Sequence, residues 1–304
     1  MDSCLIHTGG QERAELHIAI LYKYGHFDYY KIPVTESFDC VDSFEPTMSF
    51  ELAPRSSKEN NIHFTCMKVH WRTSCIQDSI LATCDSNTPL SLWTWKGDKL
   101  ACVFSAKLPS EHQHFSAKQL TLANDIEFIT STHSDSYNLP IVALGTQGRQ
   151  IYIYDPRCGG KPVLSKSCES IIKHLHYIPK ARFLLFSDTK GNLEALDERS
   201  SLKSLGKYRD FVGAITQISH YDNPINMSQQ LVVTTSLDRF VRLHDVQKRT
   251  LVIKVYMTQN LSCLSLYQRI SHCDDDVEEM RDDDVDNIWT NIPTVDNCSK
   301  TNEI

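Results

Sequence analysis

The sequence predicts an all-β fold, on the strength of a recurring hairpin, the spacing of its copies, and strand signals on either side of them. Four segments superimpose on one pattern: ILATCDSNTPLSLWTW (80–95), IVALGTQGRQIYIYDP (141–156), LLFSDTKGNLEALDE (184–198) and LVVTTSLDRFVRLHDV (231–246). Each runs through a small or β-branched strand, a polar bend and an alternating strand that closes on a large residue. The bends contain Ser86-Asn87, Gln147-Gly148, Lys190-Gly191 and Asp238-Arg239. The closing residues Trp93, Tyr154, Leu196 and His244 lie 61, 42 and 48 residues apart, and Asp follows the last three. Further strand signals flank the series. HIAILYKYGHFDYYKI (17–32) has a Gly25-His26 bend and Tyr30 in the closing position, and TLVIKVYM (250–257) reads as an outer strand. LSCLSLYQ (261–268) is expected to begin a further unit.

A hairpin returning every ~40–45 residues and closing on Trp-Asp or a relative of it marks a WD40-type β-propeller. The 61-residue interval requires an insertion, and residues 105–125 are its natural place. One such sheet cannot bury both faces alone, so Ile151, Ile153, Val241 and Leu243 are expected to face neighbouring sheets. Asp238 is expected to hold its bend by accepting hydrogen bonds, with His244 standing where a Trp would complete the network. The competing fold is a β-sandwich of irregular hairpins.

Charge is distributed unevenly. The net charge is −7, but residues 274–286 (DDDVEEMRDDDVD) hold nine acids against one Arg, leaving the rest near +1. The body therefore has no strong field to attract nucleic acid, although a local basic patch would not register in such a sum. The acidic run reads as a solvated tail, and Trp289 beyond it as a candidate anchor for a partner. No apolar run approaches the ~20 residues that span a bilayer. The start, MDSCLIHTGG, has no leader pattern, so the eleven cysteines are expected to be reduced thiols.

Catalytic and metal chemistry is hard to find. His112 and His114, with Cys102 and His133 nearby, are more simply a solvated loop than a metal site. Cys66, Cys75 and Cys84 are expected to pack between sheets as small hydrophobes. Cys158-Gly159-Gly160-Lys161 lacks the remainder of a phosphate loop and reads as a turn. No nucleophile elbow or dinucleotide fingerprint appears. No enzyme activity, cofactor, metal or small-molecule substrate is expected. Arg239 on the bend and Arg242 on a strand position taken as outward-facing are the sharpest candidates for gripping a partner's phosphate or carboxylate.

SLDRFVRLHDVQKRTLVIKVYMTQNLSCLSL (236–266) resembles the end of the propeller in the family of WD repeat-containing protein 74. The shared features are the Leu-Asp-Arg bend and the Lys-Val-Tyr outer strand. The resemblance extends to IYIYDPRCGGKPVL (151–164), to KGNLEALDERSSLKSLGKYRDFVGAITQI (190–218), and to VFSAKLPSEHQHFSAKQLTLANDIEFI (103–129) with its inserted loop. DDDVDNIW (282–289) is similar to that family's acidic-Trp element. The resemblance implies a seven-bladed nucleolar scaffold for assembly of the large (60S) ribosomal subunit precursor and pre-rRNA processing. Its implied partners are pre-60S assembly factors, pre-rRNA, and an AAA-type ATPase that releases it; no membrane is involved. Arg239, Arg242, Lys107, Lys254, Tyr256 and Trp289 are the candidate contact residues, and Asp238 and His244 the structural ones. The family carries more propeller ahead of His63–Trp95 than the 62 residues present here, and a basic tail this chain lacks. Residues 1–62 are thus expected to hold a divergent or partial blade, 63–270 the propeller and 271–304 an acidic tail. The alternatives are a WD40 adaptor in a ubiquitin-ligase or trafficking complex and, less favoured, a propeller hydrolase.

Overall fold

Alternating strands with apolar residues on both faces cannot stand singly, and the chain resolves this by stacking sheets. A computed structural model describes residues 2–8, 15–33, 45–52, 63–70, 78–96, 99–107, 122–129, 139–222, 230–264 and 266. These form five four-stranded antiparallel sheets of a β-propeller, each a meander in chain order. Sheet 1 comprises β1 (Asp2–Thr8), β2 (Glu15–Leu21), β3 (His26–Pro33) and β4 (Met48–Glu51). Sheet 2 comprises β5 (Phe64–His70), β6 (Ile80–Asp85), β7 (Ser91–Lys96) and β8 (Lys99–Ser105). Sheet 3 comprises β9 (Ala123–Ile129), β10 (Ile141–Thr146), β11 (Gln150–Tyr154) and β12 (Leu164–Ser167). Sheet 4 comprises β13 (Ile172–Ile178), β14 (Phe183–Asp188), β15 (Leu193–Asp197) and β16 (Lys203–Tyr208). Sheet 5 comprises β17 (Ile215–Asp222), β18 (Gln230–Ser236), β19 (Phe240–Asp245) and β20 (Leu251–Tyr256). The chain divides after Ser265 into two units, and only Leu266 of the second is described.

The repeat is visible in the register. Trp93, Tyr154, Leu196 and His244 each pair with the same step of the preceding strand, opposite Leu81, Val142, Leu184 and Val232. Residues 2–51 supply all four strands of the first sheet rather than a fragment of one. Beyond β20 the outcome differs from the expectation, since described residues 261–264 form no strand. Leu264 N–H instead donates to Gln217 Oε1 at 2.8 Å. The insertion between β8 and β9, with His112 and His114, lies outside the described residues, as do Cys75, His133 and Trp289.

Four apolar clusters lie between the five sheets in turn. Phe27 and Tyr29 meet Leu81 and Trp95 between sheets 1 and 2. Cys66 and Cys84 pack with Phe128, Leu144 and Tyr154 between sheets 2 and 3. Ile151 and Ile153 meet Leu175 and Phe186 between sheets 3 and 4, and Leu185 and Tyr208 meet Ile218 and Val232 between sheets 4 and 5. Fully burying one such side chain contributes roughly 1.5–3 kcal/mol, so these interfaces dominate stability.

The first strands of neighbouring sheets are also pinned by polar side chains. Asp125 Oδ2 accepts from Leu175 N–H at 2.8 Å, and Asn124 Nδ2 donates to Ile172 O at 2.8 Å. Glu127 joins Lys68 of β5 at 2.6 Å and accepts a backbone hydrogen bond from Tyr177 of β13. Burial raises the Glu127 carboxyl to about 6, against the pull of Lys68. His176 Nε2 and His220 Nδ1 lie 2.8 Å apart across sheets 4 and 5, and burial holds His176 neutral well below its ordinary range.

Neighbouring sheets also approach closely at a bend. Gly191 has φ +87°, and a Cβ there would stand 2.5 Å from Gly213 O. Gly191→Ala is therefore expected to lower stability by about 2 kcal/mol, from left-handed strain and a clash with backbone. Thermal unfolding checks this, and an unchanged midpoint would show that the bend has room to move.

Candidate interaction site at the fifth sheet

The same turn chemistry recurs at successive bends. β6, β10, β14 and β18 end in Asp85, Thr146, Asp188 and Ser236, and each side chain closes the bend that follows. Asp85 accepts from Asn87 and Thr88 N–H at 2.6 Å, and Asp188 from Lys190 and Asn192 N–H at 2.9 Å. The Asp after each of the last three closing residues works at the other end of its strand. Asp155 and Asp197 cap short 3-10 turns through Arg157 and Arg199 N–H, and Asp245 accepts from Lys248 N–H. The sequence pattern placed an Asp only in the fifth bend; the aligned Asp/Thr/Asp/Ser column was the overlooked signal. Three of these bends also contain a residue with positive φ, namely Arg149 (60°), Gly191 (87°) and Arg239 (69°).

At the fifth sheet the bend becomes a buried ionic network. Asp238 accepts from Arg242 Nη2 at 2.6 Å and from Nη1 at 3.0 Å, a bidentate pair. It also accepts from the Ser236 hydroxyl, from Phe240 N–H and from Val212 N–H. Arg242 Nη1 donates to Ser236 Oγ at 2.7 Å. The guanidinium carbon lies 5.0 Å from the ring centres of both Phe211 and Phe240. Arg242 is thus 0% exposed, which corrects its expected place on an outward-facing strand position. The cause is that the connector at 209–214 covers this face of β19, with Phe211 lying against both Arg242 and His244. Val241 and Leu243 are half-buried on one face, and Arg242 and His244 fully buried on the other. Arg242 therefore cannot reach a partner.

His244 completes a layer above this pair. Its Nε2 lies 3.2 Å from Arg209 O, and its ring stacks on Phe211 and meets Tyr208 edge-on. Burial lowers its pKa, against the Arg209 carbonyl and with the help of Arg242, so the ring is neutral and Nε2 donates. His244 thus occupies the closing position but bonds the connector between β16 and β17 (209–214) rather than the bend. For Asp238 burial opposes ionisation, yet the hydrogen bonds from Arg242, Ser236, Val212 and Phe240 outweigh it and hold the carboxyl well below 3.8.

The other candidates fall on the outer edge. Lys254 Nζ sits 4.3 Å from the Phe240 ring centre, and the Tyr256 ring lies 5.1 Å from Phe240. Arg239 adopts its positive φ, accepts from Met257 N–H at 2.7 Å, and points Nη1 toward Tyr256 Oη at 3.4 Å. Arg239, Lys254 and Tyr256 are exposed and close together. Lys107 lies apart from them, tying the end of sheet 2 to sheet 3 by donating its N–H to Gly160 O at 2.7 Å. Among the described residues no cluster of three or more His, Cys, Asp or Glu is arranged to hold a metal.

Comparison with known proteins agrees with this architecture. No family model matches the chain. It is similar to a WD repeat-containing protein of Dictyostelium discoideum, 20% identical over 206 residues, covering 67% of this chain and 36% of that protein. The chain thus spans about a third of the length of that relative.

Two outcomes follow from the geometry. Asp238→Ala strands a buried guanidinium and is expected to cost about 3–5 kcal/mol, most of it recovered in Asp238→Ala/Arg242→Met. Denaturant melts check the pair. Because the folded carboxyl titrates below 3.8, its stabilisation is present above that pH and lost as pH falls through and below it. That acid limb should vanish in the double variant. At the bend, Arg239→Gly is expected to change stability by less than about 1 kcal/mol, whereas the β-branched Arg239→Val destabilises by about 1–3 kcal/mol. Equal effects of the two in thermal melts would remove backbone conformation as the constraint at this position.

Proposed function

We propose that this protein is a non-catalytic WD-repeat scaffold in assembly of the large ribosomal subunit precursor and pre-rRNA processing in the nucleolus. The observation that carries the reading is the stretch 236–266, whose Leu-Asp-Arg bend and Lys-Val-Tyr strand resemble the family of WD repeat-containing protein 74. Those motif residues form one connected unit: Asp238 anchors the bend, Arg239 turns it, and Lys254 and Tyr256 pack on Phe240 from the neighbouring strand. A propeller and a WD-repeat relative support a scaffold role without specifying its partners. In this reading the protein contacts assembly factors and pre-rRNA within the particle, and an AAA-type ATPase removes it.

Affinity capture of the tagged full chain, followed by gradient sedimentation, tests the proposal. The expected result is nucleolar localisation and co-migration with large-subunit precursors. Recovery of a ubiquitin ligase or trafficking complex, with no pre-ribosomal RNA, would replace this reading with that of a WD40 adaptor elsewhere.

A further inference from the structure

The connector at 209–214 is fixed from beneath and open above. Four contacts hold it: His244 donates to Arg209 O at 3.2 Å, Phe211 lies against the Arg242 guanidinium and the His244 ring, Val212 N–H donates to Asp238 at 3.2 Å, and Ala214 O accepts from Leu237 N–H at 2.9 Å. Asp210 is held at φ +77° within it. Above this support Val212 is 86% exposed, and Leu237 of the adjoining bend is 52% exposed. Beside them lies a cleft of about 480 Å3, lined by Gly191, Asn192, Lys207, Arg209, Asp210 and Phe211. Lys207 and Arg209 are exposed, and neither has an ion-pair partner among the described residues. Lys190, next to Gly191, is exposed as well.

We infer that this connector and its cleft form a docking site for an acidic peptide segment of a partner protein carrying an aliphatic or aromatic anchor. The inference rests on the reading of the chain as a scaffold and names the chemistry of one partner. An exposed valine on a rigid support gains by being covered, and little ordering is needed to bind there. Two cations beside it, without ion-pair partners among the described residues, favour carboxylates placed next to the anchor. A nucleic acid fits less well, because its phosphates would find the cations but no use for the exposed Val212 and Leu237 beside them. The buried Asp238–Arg242 pair thus has a second consequence, since it positions the surface that meets the partner.

The test uses the full chain and a labelled synthetic peptide of glutamates flanking two leucines, read by fluorescence anisotropy. Comparison probes are the same peptide with serines for the leucines and a single-stranded oligouridine. The leucine peptide is expected to bind, and Val212→Ser/Leu237→Ser and Lys207→Ser/Arg209→Ser each to weaken it by about tenfold or more with melting unchanged. The serine peptide should bind about tenfold more weakly. Binding that is absent, or unaltered in both double variants, overturns the inference. So does oligouridine binding that is tighter than the peptide's and lost in Lys207→Ser/Arg209→Ser, which would assign the cleft to nucleic acid. Particle capture by the unmodified chain separates the two ideas. If the peptide fails while the chain still sediments with precursors, only the docking site falls; if sedimentation fails, the ribosomal reading falls with it.

Discussion

A four-stranded sheet with apolar residues on its faces keeps them from water by stacking against neighbouring sheets, as the four clusters between the five sheets do here. Every other feature of this chain is subordinate to that constraint. It explains why the strands carry Val, Ile, Leu and Tyr at successive rather than alternate positions, as in IYIY and LVVTT. It also explains why the repeats can lose their Trp. What a blade needs at the closing position is a large side chain opposite Leu81, Val142, Leu184 or Val232, and Tyr154 and Leu196 fill that volume within the same clusters. The closing residue differs from sheet to sheet while its register is kept.

The constraint has a harder consequence where a charged residue falls on a covered face. Arg242 stands at a step of β19 that must be buried, and an unpaired guanidinium there would be prohibitive. The fold answers with a bidentate carboxylate, a hydroxyl and two aromatic rings. Cation–π contacts of desolvated Arg contribute ~2 kcal/mol or more, and the forked pair is stronger than two neutral hydrogen bonds. Against these stands a desolvation penalty of several kcal/mol for each ion. The balance is near even in net stability. The network is therefore better understood as a specifier than as a stabiliser: it fixes where the bend, β19 and the 209–214 connector lie relative to one another.

This separates what the sequence made legible from what it did not. The hairpin repeat, its bends and the closing residues could be read directly, because each depends on local pattern. The burial of Arg242 could not, since in isolation FVRLHD reads as a strand with one solvated face. Only the presence of the 209–214 connector over that face reverses the assignment, and that contact joins residues 31 positions apart (Phe211 and Arg242). The pins between first strands were hidden for the same reason. Asp125 and Leu175 are 50 positions apart, and nothing in either neighbourhood marks the partnership. The Asp/Thr/Asp/Ser column lies one or two steps before the bend residues, at the end of the preceding strand rather than within the turn.

Arg239 shows how a motif residue can meet a backbone requirement while its side chain stays exposed. Its equivalents in two other bends are Arg149 and Gly191, all with positive φ, so the position selects for a tolerated left-handed residue before it selects for charge. Arg at such a position carries a conformational cost that Gly would not. The retained side chain, reaching toward Tyr256 at the exposed edge, is thus an addition to what the turn itself requires. Arg242 is the converse case, a buried cation whose Nη1 and Nη2 donate to Asp238 and Ser236. Two arginines three residues apart in one motif therefore have opposite standing. Substitution of Arg242 acts on a binding surface only through the fold, whereas substitution of Arg239 by Gly removes the side chain while leaving the fold in place.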